Sequence, residues 1–114
     1  MRLLLDECLP VELAAHLPGQ AVHTVRDMGW LGVYSGRLLK IISESAAFDV
    51  FVTVDKNLPH QQNLRGLPFA VAVLRVRSTR GPDVVAQAPE LLPRLPEAQP
   101  GEAMVVALPE SAHS

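Results

Sequence analysis

Two acidic residues, Asp6 and Asp55, each stand where an apolar, strand-like run ends. The runs are residues 2–5 and 50–54, and both acids are followed by Leu-Pro at the same spacing. Carboxylates held close together raise each other's pKa unless a cation neutralises them. Mg²⁺ and Mn²⁺ take such oxygen ligands, lower the pKa of a bound water and stabilise a phosphoryl transition state. The pair therefore predicts a divalent-cation site with catalytic potential.

The residues beside the two acids suit the same chemistry. Glu7 would be a third carboxylate, Asn57 a neutral ligand or a substrate contact, and Lys56 a contact for phosphate. The alternative for Lys56 is a solvated surface side chain. For the acids, the alternative is a capping role. Asp6 would cap the first helix, and Asp55 would cap the turn before Pro59.

Other chemically capable side chains form less specific patterns. Arg75, Arg77 and Arg80 lie within six residues and would either contact phosphate or form a solvated strand end. The four histidines show no metal-binding spacing, and the sequence contains no Walker, GxGxxG or GxSxG motif. The single cysteine, Cys8, excludes an intramolecular disulfide and is expected to be a small buried thiol.

Three residues near the acids are predicted to have structural roles. Thr53 points to the opposite face from Val54, which favours a structural role over metal ligation. Trp30 would stack a base or, as we expect, anchor its loop against the core. His60, beside two glutamines, is expected at the surface.

Strand-like and helical patterns alternate along the chain. We predict strands at residues 2–5, 21–25, 49–54, 69–76 and 103–108. We predict helices at residues 10–17 and 36–46, the second capped by Ser35, a helical turn opened by Pro59, and a helix from Pro82 that Pro89 and Pro93 interrupt. The glycine-containing segment 26–36 is predicted to be mainly a loop.

This alternation predicts an α/β fold. Unbroken apolar strands indicate burial on both faces, so we expect three α/β/α layers around a mostly parallel central sheet. Ligand sites in such sheets form beyond the carboxyl ends of the strands, near the topological switch point. If the first and third strands are neighbours, Asp6 and Asp55 converge at one edge of the sheet.

Length and composition limit the classes of function. The 114 residues suit one domain, predicted over residues 1–109, with a flexible tail at 110–114. A net charge of −2 gives no overall basic field. The apolar runs are too short to span a bilayer, and Met1 leads into a strand pattern without a signal peptide, so we expect a cytoplasmic protein with no membrane partner. The high apolar content is compatible with a homodimer.

Four segments together resemble the small bacterial PIN-like proteins of the DUF5615 type. They are RLLLDECLP, HTVRDMGW, SGRLLKII and FDVFVTVDKNLPHQQNL, within residues 2 to about 76. The resemblance implies a PIN-like, Rossmannoid fold and a ribonuclease toxin with a cognate antitoxin protein. Such a nuclease uses acids and Mg²⁺ or Mn²⁺ to activate water against an RNA phosphodiester. Asp6 matches its first acid, Asp55 the later strand-end acid, Glu7 is an assisting acid, and Asp27 lies in the matching loop.

Arg37 departs from this family pattern. The helix SGRLLK would carry an acid at that position, and an arginine cannot ligate a cation. The basic group would instead bind RNA phosphate. The departure leaves a second function open, a catalytically degenerate PIN-like module that binds RNA or a protein.

A second resemblance is to phospho-receiver domains. Acids at the end of the first strand and the string DKNLP resemble the acidic pocket and the phospho-accepting aspartate, here Asp55. Ser78 or Thr79 would act as the hydroxyl switch. Such domains need a lysine at the end of the fifth strand, and AMVVALPE contains none, which places this function behind the other two.

Overall fold

Five short parallel strands form the centre of the protein. In the computed structural model, which describes residues 1–108, they are β1 (Arg2–Leu5), β2 (Ala21–Thr24), β3 (Val50–Thr53), β4 (Ala70–Leu74) and β5 (Ala103–Val106). Their order across the sheet is β2-β1-β3-β4-β5, and every neighbouring pair is parallel. The first and third strands are therefore neighbours, with Leu5 paired to Val52.

Helices cover both faces of the sheet. One face carries α1 (Ser35–Ser45) and α2 (Leu58–Gln61), and the other carries a 3₁₀ helix (Val11–His16), α3 (Gly81–Val85), α4 (Ala88–Leu91) and a second 3₁₀ helix (Leu92–Glu97). We call them the α1 face and the α3 face. Side chains alternate between them, so Leu4 packs towards the α1 face and Leu3 and Leu5 towards the α3 face. The predicted α/β fold with a parallel sheet between helices is confirmed.

The connection from β4 to β5 crosses an unexpected face. The β1–β2 connection moves one way across the sheet over the α3 face, and the β2–β3 and β3–β4 connections move the other way over the α1 face. These three share one hand. The β4–β5 connection moves in the same direction as β3–β4 but over the α3 face, so its hand is opposite. Because parallel crossovers are right-handed in about 98% of cases, β4–β5 is the left-handed exception.

This crossover leaves part of the α1 face open. Ala103 and Val105 of β5 pair with Val71 and Val73 of β4 and share their face. The two β4 residues are buried, whereas Ala103 and Val105 are exposed, Val105 by 49%. An apolar edge of the sheet therefore faces solvent beside α2.

Most predicted elements are present; one helix differs in kind, and another differs in the residue that caps it. The predicted helix over residues 10–17 is a 3₁₀ helix of six residues, flanked by Pro10 and Pro18. Ser35 was predicted as an N-cap, but it is the first residue of α1; Tyr34 occupies the cap without a side-chain capping bond. The predicted interruptions by prolines are confirmed, because the segment 81–97 divides into three short helices.

Two further predictions concern the C-terminal tail and the membrane. The predicted tail, residues 110–114, lies outside the described residues. Within residues 1–108, no helix combines the length and the apolar character that crossing a bilayer requires.

Candidate functional site

The two strand-end acids line the same cavity. It has a volume of about 440 Å³ and lies at the carboxyl ends of β1 and β3, bordered by Asp6, Glu7 and Asp55 and by the start of α1. We call it the acidic cavity. The strand order reverses direction between β1 and β3, and ligands of open α/β sheets bind at such switch points.

A buried hydroxyl connects the two acids. Thr53 has no exposed surface, and its Oγ1 donates a hydrogen bond of 2.7 Å to Asp6 Oδ2 while accepting one of 3.1 Å from the Asp55 N–H. The register explains this link, because Leu5 pairs with Val52 and the next residues, Asp6 and Thr53, lie side by side. Sequence reasoning gave Thr53 a structural role but missed that it positions both acids.

Each of the two aspartate carboxylates also accepts a hydrogen bond from a main-chain N–H group. Asp6 Oδ1 accepts from the Glu7 N–H at 2.8 Å, and Asp55 Oδ1 accepts from the Asn57 N–H at 3.0 Å. Asp55 therefore holds the turn before α2, as its alternative role predicted. Asp6 does not cap the first 3₁₀ helix, whose N-cap is Pro10. A carboxylate oxygen has two lone pairs, so both acids keep acceptor capacity.

Glu7 lies at the rim of the cavity and holds a loop. The residue is exposed, and its Oε1 accepts a hydrogen bond of 3.2 Å from the Gly32 N–H. Gly32 has a positive φ of 77°, a conformation that glycine adopts without strain. Glu7 therefore fastens the segment before α1 over the acidic cavity.

Cys8 differs from its prediction as a buried thiol, because the residue is exposed. Its sulfur nevertheless lies beside Asp6, Thr53 and the main chain of Val54. Partial burial of the sulfur and the negative charge of Asp6 raise the pKa of the Cys8 thiol. The thiol is therefore protonated at neutral pH.

The acids of the cavity fit a metal site with two protein carboxylates but not one with three or more protein ligands. Across residues 1–108, no group of three or more His, Cys, Asp or Glu side chains is placed to hold a metal ion, so Glu7 does not complete a three-carboxylate cluster. Mg²⁺, however, is commonly bound through one or two carboxylates together with waters and substrate phosphates. Asp6 and Asp55 on one cavity meet that requirement.

The predicted substrate contacts lie mainly in a second cavity. Its volume is about 350 Å³, and Lys56, Asn57, His60 and Arg75 surround an apolar floor. We call it the cationic cleft. The segment 55–60 separates it from the acidic cavity, because Asp55 and Leu58 line the cavity and the residues between and after them line the cleft. Arg37 is exposed on α1 and lines neither.

The loop before α1 contains two aromatic residues with different roles. Trp30 packs edge-on against Phe48, with ring centroids 6.3 Å apart, so the predicted anchoring of this loop is confirmed. Tyr34 is 72% exposed at the mouth of the acidic cavity, and sequence reasoning assigned it no function. Asp27 closes the turn after β2 through reciprocal hydrogen bonds with Thr24.

Compared with known proteins, the chain matches no family model, no curated protein and no solved structure. The chemistry of the acidic cavity and the cationic cleft therefore carries the functional conclusion.

Proposed function

We propose that the protein is a cytoplasmic, metal-dependent endoribonuclease of PIN-like type that hydrolyses RNA phosphodiesters at the acidic cavity. The observation that carries the proposal is the convergence of Asp6 and Asp55 on one cavity at the switch point, linked through buried Thr53. The resemblance of residues 2–76 to DUF5615-type proteins supports it.

The residues of the chain would have distinct tasks in this reaction. Asp6 and Asp55 would hold Mg²⁺ or Mn²⁺, which when bound supplies an activated water and neutralises phosphoryl charge. Thr53 and the Glu7 main chain keep the Asp6 carboxylate in one orientation, so little reorganisation is needed when charge develops. Lys56 and Arg75 would bind phosphates of the RNA outside the cleavage site.

The test is cleavage of labelled single-stranded RNA by the full chain, with Mg²⁺, with Mn²⁺ and with EDTA. We expect metal-dependent cleavage that falls by at least about 100-fold in Asp6→Asn and Asp55→Asn, because even outer-shell changes at metal sites cost 10–100-fold. Glu44→Gln, an exposed carboxylate change on α1, is the matched control. Absence of both metal-dependent cleavage and divalent-ion binding would refute the proposal.

The resemblance to DUF5615-type proteins extends the proposal to a toxin role. Expression of the wild-type chain should arrest bacterial growth, and Asp55→Asn should relieve the arrest. Co-expression of a cognate antitoxin, sought in the adjacent reading frame, should also relieve it.

A second candidate is a catalytically degenerate module that binds RNA or a protein. Two observations favour it: Arg37 stands where the family pattern has an acid, and no group of three or more His, Cys, Asp or Glu side chains within residues 1–108 is placed to hold a metal ion. Under this function, RNA binding persists without cleavage, and any growth arrest persists in Asp55→Asn.

A phospho-receiver function is the third candidate, and strand order alone favours it. The order β2-β1-β3-β4-β5 is that of flavodoxin-like folds. However, the β4–β5 connection crosses the opposite face from an all-right-handed fold, and residues 103–108 contain no lysine. Incubation with a small phosphodonor should leave Asp55 unphosphorylated; a stable acyl phosphate there would revive this function.

A further inference from the structure

The two edge strands of the sheet, β2 and β5, differ in how their outward-facing main-chain groups are satisfied. On β2, every second residue bonds to β1, which leaves Val22 and Thr24 facing outward. The Thr24 N–H donates to Asp27 Oδ2 at 2.9 Å, and the Thr24 carbonyl accepts from the Met28 N–H at 3.2 Å. Within β2, Val22 alone therefore keeps outward main-chain groups without a partner among residues 1–108.

The outward edge of β5 is more open. The main chain of residues 71–75 donates hydrogen bonds to the carbonyl oxygens of residues 102 and 106, so Ala103 and Val105 face outward. The Val105 carbonyl accepts from Arg94 Nη1 at 2.6 Å. The N–H groups of both outward residues and the Ala103 carbonyl bond to nothing in the described range 1–108. Unpaired main-chain groups of this kind are a template for a further strand.

A second copy of β5 fits this edge when it runs antiparallel. With a two-fold axis at Met104, Ala103 of each copy lies opposite Val105 of the other, and each such pair exchanges both N–H···O bonds. The Val105 oxygen has two lone pairs, so it can accept this bond and keep the bond from Arg94. The pairing also sets the side chain of Val105, which is 49% exposed, beside the methyl group of the partner's Ala103.

The charges along the β5 edge are complementary in the same arrangement. Glu102 is exposed and forms no ion pair within residues 1–108. Strand alternation places it on the α3 face with Met104 and Val106, and the antiparallel register sets it opposite the partner's Val106. Arg94 reaches this edge from the α3 face, where it bonds to the neighbouring Val105 carbonyl. The Glu102 of each copy therefore meets the Arg94 of the other.

We propose that β5 is the interface of a homodimer, in which two copies pair antiparallel to form one continuous sheet. The interface is isologous, so it closes with two copies. A strand of four residues buries less surface than a standard interface, so the dimer is weak and depends on protein concentration. The carboxyl ends of the two sheets point in opposite directions, which leaves both acidic cavities open. The proposal is therefore independent of the proposed function.

Sedimentation velocity of the full chain over a wide range of protein concentrations tests the dimer. We expect monomer to convert to dimer as the concentration rises, with no larger species. Ala103→Pro removes an N–H that has no partner in the described monomer, and proline is tolerated at the first residue of an edge strand. Each pair loses one hydrogen bond, so the dissociation constant should rise at least about tenfold. Ala103→Ser keeps the N–H and is the matched control, and circular dichroism should show the wild-type fold in both variants.

The contact between Glu102 and Arg94 has its own variants. Glu102→Arg and Arg94→Glu should each raise the dissociation constant about two- to fivefold, because like charges then meet across the axis. The double variant restores opposite charges and should dimerise more strongly than either single variant. Glu97→Gln, at the carboxylate that pairs with Arg94 within the same chain, should not weaken the dimer.

Amide hydrogen exchange identifies what covers the edge. The N–H groups of Ala103 and Val105 should exchange more slowly as the protein concentration rises, whereas the outward N–H of Val22 on β2 should keep its rate. Protection of the β5 amides at every concentration would assign the edge to another segment of the same chain and overturn the proposal.

Two further results would also overturn the dimer: a chain that stays monomeric at every concentration, or a dimer that Ala103→Pro leaves unchanged. These measurements do not involve RNA cleavage, so failure of the dimer and failure of the nuclease are separable. Cleavage by a chain that never dimerises removes this proposal alone, and a dimer with the predicted variant effects but no cleavage removes the nuclease alone.

Discussion

The acidic cavity and the cationic cleft lie on either side of one short segment, residues 55–60, yet they are built in different ways. In the cavity, the buried Thr53 hydroxyl binds the Asp6 carboxylate and the Asp55 main chain, and main-chain N–H groups hold both carboxylates. The cations of the cleft, Lys56 and Arg75, are exposed side chains, and neither forms an ion pair with another residue of the described range 1–108. The cavity results from the strand register, whereas the cleft forms because the β4–β5 connection packs on the α3 face and leaves the α1 side of β5 exposed within the described part of the chain.

Because of this difference, we expect mutations in the acidic cavity to change the stability of the fold and mutations in the cationic cleft to change ligand binding alone. Changing the support of the cavity breaks hydrogen bonds in the sheet, so it should affect folding and function together. Changing the cations of the cleft removes only solvated charge, and surface substitutions of that kind usually alter stability by less than about 0.5 kcal/mol. The two regions therefore predict different responses to mutation.

The largest expected effect on stability is at Thr53. Thr53→Val keeps the shape of the side chain but leaves Asp6 Oδ2 and the Asp55 N–H without their partner. Loss of a partner from a buried polar group costs about 1–3 kcal/mol, so the free energy of unfolding should fall by that amount. Urea unfolding, followed by circular dichroism, measures it.

The controls for Thr53→Val are a conservative change at the same position and two changes in the cationic cleft. Thr53→Ser keeps the hydroxyl and loses a methyl group worth about 0.8 kcal/mol, and it should retain metal-dependent activity. Lys56→Gln and Arg75→Gln should unfold at the wild-type urea concentration. A Thr53→Val protein as stable as the wild type would show that the hydroxyl link does not hold the cavity together.

A smaller effect is expected at Gln87, which joins the cleft to the interior. Gln87 is 1% exposed, and its Nε2 donates to the carbonyl oxygens of Arg75, Val106 and Ala107 at 2.6, 3.3 and 3.0 Å. Its Oε1 has no partner among the described residues. Gln87→Leu removes the donor but also this unpaired acceptor, so the net loss should be about 1–2 kcal/mol.

The consequence for the cleft distinguishes Gln87 from an ordinary buried residue. Without its amide, the ends of β4 and β5 are held less firmly, so the Arg75 N–H, which bonds to Val106 at 2.9 Å, should exchange its hydrogen faster. Single-stranded RNA binding should weaken as well. Gln99→Leu, an exposed change in a turn, should alter neither measurement; unchanged exchange at Arg75 in Gln87→Leu would contradict this role.

Much of the acidic cavity could be predicted from the sequence, because local patterns determine it. Apolar runs ending in Asp6 and Asp55 marked the strand ends, and parallel pairing brought those ends together. Thr53 was also within reach, since alternation places it on the face of Asp55 and the register places it beside Asp6. The prediction considered only the direction of Thr53 relative to Val54 and not its neighbour Asp6 on the adjacent strand.

The cationic cleft could not be predicted in the same way. Lys56 and Arg75 were identified as phosphate contacts, but their shared cleft depends on which face the β4–β5 connection crosses. The apolar pattern of Val84, Ala88 and Leu91 fits a helix on either face. Gln87 was missed for a related reason, because its three acceptors lie 12 to 20 residues away in sequence and belong to strand ends that only the folded chain brings together.

The smallest expected effect is on the reactivity of Cys8, whose thiol responds to the negative charge of the acidic cavity. Partial burial and the Asp6 carboxylate raise the pKa of the Cys8 thiol, so less thiolate is present at any given pH and alkylation is slow. Asp6→Asn removes the negative charge, which lowers the thiol pKa and increases the thiolate fraction. The rate of reaction with iodoacetamide at pH 8 should therefore rise, and the whole pH–rate profile should move to lower pH. Lys56→Gln, on the cleft side of the segment, should leave the profile in place. If Asp6→Asn and the wild type react at equal rates, the cavity does not impose its charge on Cys8, and the electrostatic distinction between the two regions fails at that point.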